Sequence, residues 1–228
     1  SEKRYIVEWS LIILDSEGNV VRTIGNKEKR PENITVKNFF QSLFAKYDIK
    51  AGTCLSDFMI SNKKCNEIIN EQFNSITFEN HLKPEAVLNY QESVAAGDLV
   101  VKFNNTTLNL LEWCKENDMA VRGHTIIWHS QTPDWIFYED FDNKKELVSR
   151  DVMLKRMENY IRLEMEFFNT NYPGLIYAWD VINEAVEFNG GVDGYRARGS
   201  LYYEVIGKDF FEKAFEYARK YAAPEQKL

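Results

Sequence analysis

The chain has 228 residues, with 28 Lys and Arg against 35 Asp and Glu, a formal net charge of -7 and 44% hydrophobic residues. An acidic surface does not neutralise phosphates, which excludes nucleic-acid binding through bulk positive charge. No run of 18 consecutive apolar residues is available to span a membrane as a helix, and the hydrophobic content excludes wholesale disorder. Fifteen Phe, 12 Tyr and 5 Trp furnish a large core, with a few rings left over for stacking on a ring-shaped ligand.

Residues 5–14 and 19–24 are strand-like, and Asp15-Ser16-Glu17-Gly18 between them is a turn sequence, so a β-hairpin is expected. Residues 25–33 are polar and read as a linker. Val36, Phe39, Phe40, Leu43, Phe44 and Tyr47 then step at helical spacing, with Thr35 as a candidate cap. From residue 49 onward strands and helices alternate. A strand at 49–54 is followed by a helix marked by Cys65, Ile68, Ile69 and Phe73, and a strand at 73–79 by a helix near 105–117. A strand at 121–128 precedes a long helix marked by Met153, Met157, Ile161, Met165 and Phe168. A strand within 175–185 precedes a last helix marked by Phe211, Ala214, Phe215, Ala218 and Ala222. This order predicts an α/β fold with a parallel sheet and right-handed crossovers, either doubly wound or a β/α barrel. No Gly-x-Gly-x-x-Gly follows the first strand, and the polar residues gather at the C-terminal ends of the strands, where barrel enzymes build their sites.

The three cysteines, at 54, 65 and 114, have no spacing that holds a metal or builds a disulfide framework, and Cys65 is expected to be a buried thiol. The chain begins at Ser1 with no signal sequence, which fits a processed or cut chain.

Three strand ends carry chemistry. The first is Thr77-Phe78-Glu79-Asn80-His81-Leu82-Lys83, where a carboxylate, an amide and an ammonium lie within five residues. The group suits vicinal hydroxyls, although a solvated loop has the same composition. The second is Arg122-Gly123-His124-Thr125-Ile126-Ile127-Trp128-His129-Ser130-Gln131. On a regular strand His124, Ile126 and Trp128 share one face and Thr125, Ile127 and His129 the other. A His and a Trp can both be core residues, but two His, two Trp (Trp128 and Trp135), a Gln and an Arg within residues 122–135 fit a site that hydrogen-bonds hydroxyls and stacks on a ring. The third is Trp179-Asp180-Val181-Ile182-Asn183-Glu184. Glu184, at the end of a buried strand beside an amide, is placed to act as a general acid. Asp180 reads as a structural acid paired with an Arg.

These segments resemble glycoside hydrolase family 10, the retaining endo-β-1,4-xylanases. Arg-Gly-His-Thr-x-x-Trp-His-Ser-Gln and Thr-x-Glu-Asn-x-x-Lys carry the resemblance. Asn183-Glu184, Leu154 to Asn159, Asp193 to Arg196 with Ser200, and Ile206 to Asp209 support it. It implies a (β/α)8 barrel of which this chain covers about the first four units. Residues 1–33 form an N-terminal hairpin and linker, and residues 34–228 the first half of the catalytic barrel. It further implies Glu184 as acid/base. Glu79, Asn80, Lys83, His124, Trp128, Gln131 and Asn183 are implied to bind substrate, with His129 supporting the acid/base. No metal and no organic cofactor is implied. The implied partners are xylan or xylo-oligosaccharides and the remaining half of the barrel. A polymeric substrate implies secretion.

Three departures from the family pattern stand out. Asn80-His81-Leu82-Lys83 replaces Asn-Ala-Met-Lys, and Tyr160 replaces a His on the long helix; both are expected to cause local repacking only. The third is larger. Four units over residues 49–222 imply roughly 350 residues for eight, against a typical ~250 for the fold. The family's nucleophile lies in a Thr-Glu-Leu-Asp-like motif at the seventh strand, and this sequence has no such segment. A retaining mechanism needs both carboxyls, and four strands leave two open edges. The chain is therefore expected not to be an active, stable monomer. A non-catalytic xylan-binding or assembly fragment is the alternative.

Overall fold

The computed structural model describes residues 10–25, 46–47, 49–187, 191–192 and 194–228. Strands β1 (Ser10–Leu14) and β2 (Val20–Gly25) form the expected antiparallel hairpin, paired Ser10 to Gly25 and Leu11 to Ile24. Asp15 sets its turn: one carboxylate oxygen accepts from the backbone N–H of Glu17 and of Asn19, each at 2.9 Å. The expected strand residues 5–9 lie outside the described residues. So do most of the expected linker, after Gly25, and most of the helix expected from Val36; Tyr47 is in a turn.

The remainder is built on a four-stranded parallel sheet in the order β3-β4-β5-β6, with β3 (Gly52–Leu55), β4 (Ser75–Phe78), β5 (Ala120–Trp128) and β6 (Ile176–Asn183). Consecutive strands in parallel register require helical crossovers. These are α1 (Asp57–Ser61) and α2 (Lys63–Gln72), then α3 (Pro84–Val87), α4 (Tyr90–Ala96) and α5 (Asn105–Glu116), then α6 (Arg150–Asn171). Helices α7 (Leu201–Ile206) and α8 (Phe210–Tyr221) follow β6. The sequence reading missed α1, α3, α4 and α7. They are too short to show helical periodicity and are set by their ends: Pro84 opens α3, Asn89 caps α4 by accepting from the Glu92 N–H at 3.0 Å, and Gly97 closes α4 at φ +71°.

The four long helical patterns fall where expected. The whole apolar stripe of α6, from Met153 to Phe168, is buried. On α2 only Ile69 is buried, whereas Ile68 is exposed and Cys65 half-buried, because this helix lies over the edge strand. Cys114 is the buried thiol of the three. In the sheet centre, Trp179 of β6 lies across Gly123 of β5. A Cβ on Gly123 would stand 2.1 Å from the indole Cε3, so only glycine fits there. Phe168 of α6 packs edge-on to the same indole with centroids 5.4 Å apart, fixing the helix to the sheet.

One outer edge of the sheet is β3. The other is β6, whose first part pairs with the C-terminal residues. The Trp179 N–H donates to the Lys227 carbonyl at 2.9 Å, and the Lys227 N–H donates to the Tyr177 carbonyl at 3.1 Å. This is parallel pairing of a fifth strand segment, and Gln226 anchors it by donating to the buried Ile176 carbonyl. Beyond Trp179, β6 has no partner on that side among the described residues.

Candidate active-site cleft

Most of the polar residues singled out in the sequence end or follow the strands at their C-terminal ends, whereas Arg122 and His124 lie within β5 and Asp180 within β6. Parallel pairing alone brings those ends together. Ser56 follows β3, Glu79 to Lys83 follow β4, Trp128 to Gln131 end and follow β5, and Asn183 and Glu184 end and follow β6.

Strand β5 departs from regular alternation. His124 pairs opposite Asp180 but Ile127 opposite Ile182, so β5 spends one more residue than β6 over this stretch. Thr125, Ile126 and Ile127 are all buried. The two-face pattern expected for residues 124–129 is therefore broken. The bulge resets which side chains reach the cleft, a common use of an extra residue beside a site.

Asp180 sits between two partners from β5. Arg122 Nε donates to its Oδ1 at 2.9 Å, and its Oδ2 lies 2.9 Å from His124 Nδ1. Burial works to raise the Asp180 pKa, but hydrogen bonds and charge from His124 and Arg122 outweigh it and hold the carboxyl below its ordinary range. An ionised Asp180 requires Nδ1 of His124 to carry a proton, which leaves Nε2 for a ligand. The expected Arg partner of Asp180 is thus Arg122, and the same carboxylate also orients His124.

A second knot joins the loops after β4 and β5. Lys83, nearly buried, donates to Asn80 Oδ1 at 2.9 Å and to Gln131 Oε1 at 2.8 Å; Gln131 Nε2 donates to Asn80 Oδ1 at 3.3 Å. The Lys83 ammonium also stands 5.0 Å from the centroid of the Trp128 ring. Glu79 accepts from the Ser56 hydroxyl. The Glu85 N–H donates to the Gln131 carbonyl at 2.9 Å, tying the two loops at their backbones.

Glu184 meets Trp128 at the indole nitrogen. Trp128 Nε1 donates to Glu184 Oε2 at 3.0 Å, and His129 Nε2 lies 3.8 Å from the same oxygen. Burial, followed by the charge of Arg196, pushes the His129 pKa down against the pull of Glu184 and Glu187, so a neutral imidazole faces the carboxyl. The Glu184 side chain is 52% exposed, open to an incoming ligand. Its backbone is in the left-handed region at φ +52°, as is Gln131 at φ +45°. Such a conformation costs an L-residue about 1–2 kcal/mol and is sustained by the surroundings. At Glu184 the support comes from Arg196, whose Nε donates to the Glu184 carbonyl at 3.1 Å and whose N–H donates to the Ala185 carbonyl at 2.8 Å. Asn183 lines the same cleft, in register with Trp128.

Two contributors escaped the sequence reading. Ser56 carries no signal, because only the adjacency of β3 and β4 brings it to Glu79. Arg196 lies in a stretch that matched the family pattern, but nothing local marked it as the prop of Glu184. Together the residues form a cleft with amide, ammonium and imidazole donors, an indole face and the exposed carboxyls of Glu79 and Glu184, a combination suited to a polyhydroxylated ring.

Comparison with known proteins agrees with this class of site. The model of glycosyl hydrolase family 10 matches residues 40–228, and the chain belongs to that family. It is 41% identical to endo-1,4-beta-xylanase B of Butyrivibrio fibrisolvens over 78% of this chain and 28% of that protein. The CBM22-1–GH10 modules of an endo-1,4-beta-D-xylanase from Clostridium thermocellum, solved with xylohexaose, are 37% identical. They superpose with a TM-score of 0.72 over 78% of this chain and 37% of theirs. The intracellular xylanase of Thermoanaerobacterium saccharolyticum is 30% identical, with a TM-score of 0.69 over 87% of this chain and 56% of its own. The fold class is accordingly that of the (β/α)8 barrel, with four parallel strands and the start of a fifth in this chain. The chain thus spans little more than a quarter, little more than a third and little more than half of these three relatives, respectively.

Proposed function

We propose that this chain supplies the sugar-binding and acid/base half of a retaining endo-1,4-β-xylanase. The observation that carries the reading is the Glu184 carboxyl. It is held by Trp128 Nε1 at 3.0 Å, with His129 at 3.8 Å, beside the Lys83–Asn80–Gln131 knot. In this reading Glu79, Asn80, Lys83, His124, Gln131 and Asn183 hydrogen-bond xylosyl hydroxyls on the non-reducing side, and Trp128 offers its ring. Glu184 protonates the glycosidic oxygen as the C–O bond breaks. A second carboxylate, about 5–5.5 Å away, attacks the anomeric carbon to give a covalent glycosyl-enzyme. Glu184, now a carboxylate, then takes a proton from the water that releases the sugar. That nucleophile comes from outside these 228 residues, in the same longer polypeptide or in a second chain that also continues the sheet past β6. The open edge of β6 supports this continuation of the sheet, and the xylohexaose complex of the Clostridium thermocellum relative supports a xylan substrate.

Reducing-sugar release from xylan tests the proposal. The chain alone releases none; with a polypeptide carrying strands five to eight it does, and Glu184→Ala abolishes the release. Release by the chain alone would refute the external nucleophile. Release that survives Glu184→Ala would refute the acid/base role, and xylan binding without release in any combination would favour a non-catalytic binding fragment. A polymeric substrate would favour work outside the cell, whereas one similar enzyme is intracellular, and cell fractionation decides between the two.

A further inference from the structure

Away from the cleft, the same two loops continue into a second concavity. Five residues beyond Glu85 is Tyr90, the first residue of α4, and four beyond Gln131 is Trp135, in a 3₁₀ turn at Asp134–Phe137. Tyr90, Trp135, Phe141, Asp142 and Asn143 line an open hollow of about 250 Å³. That is below the about 300–1,000 Å³ of pockets enclosing drug-sized ligands, and it suits a single ring. Tyr90 and Trp135 meet edge to face at 5.3 Å, and Trp135 and Phe141 at 5.7 Å.

The base of the hollow is fixed. Phe141 is buried, and the Arg156 guanidinium of α6 lies 4.0 Å from its ring centroid. Arg156 also donates to the carbonyls of Ile136 and Tyr138, at 2.7 and 2.8 Å, clamping the turn that carries Trp135. The rim is free. Tyr90 is 48% exposed. Asp142 Oδ1 accepts from the Lys144 N–H at 3.0 Å, but its Oδ2, the Asn143 amide and the Tyr90 hydroxyl enter no hydrogen bond among the described residues.

We infer that this hollow is an accessory site for one pyranose ring of a xylan chain, outside the catalytic cleft; the identity of the sugar rests on the function proposed above. A pyranose presents a face of C–H groups, slightly positive, to the negative face of an aromatic ring, while its equatorial hydroxyls point sideways. The Tyr90–Trp135 pair supplies the ring surface, and Asp142 and Asn143 supply acceptor and donor at the edge. Because both loops spring from the Glu85–Gln131 tie, the hollow and the cleft lie at the same end of the sheet.

Affinity electrophoresis of the chain in gels containing soluble xylan tests the inference. Four proteins are compared: wild type, Tyr90→Ala, Tyr90→Phe and Lys83→Met. Tyr90 is half exposed, so its variants keep the fold, as circular dichroism verifies. Tyr90→Ala weakens xylan retention roughly 2- to 12-fold, the range of one aromatic stacking contact. Tyr90→Phe keeps it, and Lys83→Met weakens it independently. Retention unchanged in Tyr90→Ala but reduced in Lys83→Met would overturn the accessory site and leave the cleft reading intact. Retention reduced in Tyr90→Ala but not in Lys83→Met would do the reverse. Loss in Tyr90→Phe equal to that in Tyr90→Ala would overturn ring stacking, and no retention of the wild type would overturn both.

Discussion

Replacing Glu164 by Gln should flatten a fall in stability expected of this chain between mildly acid and mildly alkaline pH. Glu164 lies on the inner face of α6, fully buried, and neither carboxyl oxygen has a hydrogen-bond partner among the described residues. Its neighbour is Tyr160, one turn back on the same helix; Tyr160 in turn faces Tyr202 of α7, and both hydroxyls are buried. Burial pushes the carboxyl up from an ordinary 4.5 to about 8, with the Tyr160 hydroxyl offsetting a little. Between those values the folded chain holds a proton that the unfolded chain releases. The unfolded state binds fewer protons, so stability falls as pH rises from about 4.5 to about 8 and is then level. At about 1.4 kcal/mol per pH unit the loss is at most about 5 kcal/mol, comparable to the whole stability of a marginal domain. For a chain of this size it corresponds to roughly 10–20 °C in Tm. Thermal unfolding at pH 5, 6, 7 and 8 measures it in wild type and Glu164→Gln. The two curves should converge in slope elsewhere and diverge across this window. Parallel curves would refute the argument, because they would mean the carboxyl is already ionised, or is solvated, in the folded chain.

Three further outcomes follow from the same structure. Gly123→Ala drives a Cβ into the Trp179 indole, which Phe168 pins from the other side; a loss of about 1–3 kcal/mol is expected by urea unfolding, the range of core overpacking. Asp180, held below its ordinary range by His124 and Arg122, contributes stability that is present above about pH 3.8 and lost as pH falls through its lower folded value. The acid-unfolding curve of Asp180→Asn should therefore lack that limb, and coincidence with wild type would count against the pairing. Lys83→Met removes two charge-assisted hydrogen bonds from Asn80 and Gln131 while keeping the stem. Calorimetric titration with xylo-oligosaccharide should show affinity reduced by about tenfold or more, and an unchanged Kd would remove Lys83 from the binding set.

The alternation of strands and helices, the long helical stripes and the polar strand ends were legible in the sequence because each rests on local spacing. Met153, Met157, Ile161, Met165 and Phe168 repeat at the helical period, and a helix that must bury one face has no other way to write it. The resemblance named the cleft residues for the same reason: each lies within a short, contiguous motif next to a strand end. Lys83, Asn80, Gln131, Trp128 and Glu184 then come together in the structure because parallel register sets the strand ends side by side.

What the sequence did not determine depends on groups far apart in the chain. The extra residue in β5 is defined only against β6, and it overturns the simple alternation read for residues 124–129. Ser56 reaches Glu79, and Arg196 props the left-handed backbone of Glu184, through strand adjacency and loop return. Short helices such as α4 are fixed by caps rather than by periodicity. Glu164 reads as one more charged position on an amphipathic helix until packing buries it completely, and Tyr90 as an unremarked residue until Trp135 meets it. Local spacing fixes which elements form and which residues they carry. Burial, pairing partners and the shape of a hollow are properties of surfaces in contact, and those exist only once the chain is packed.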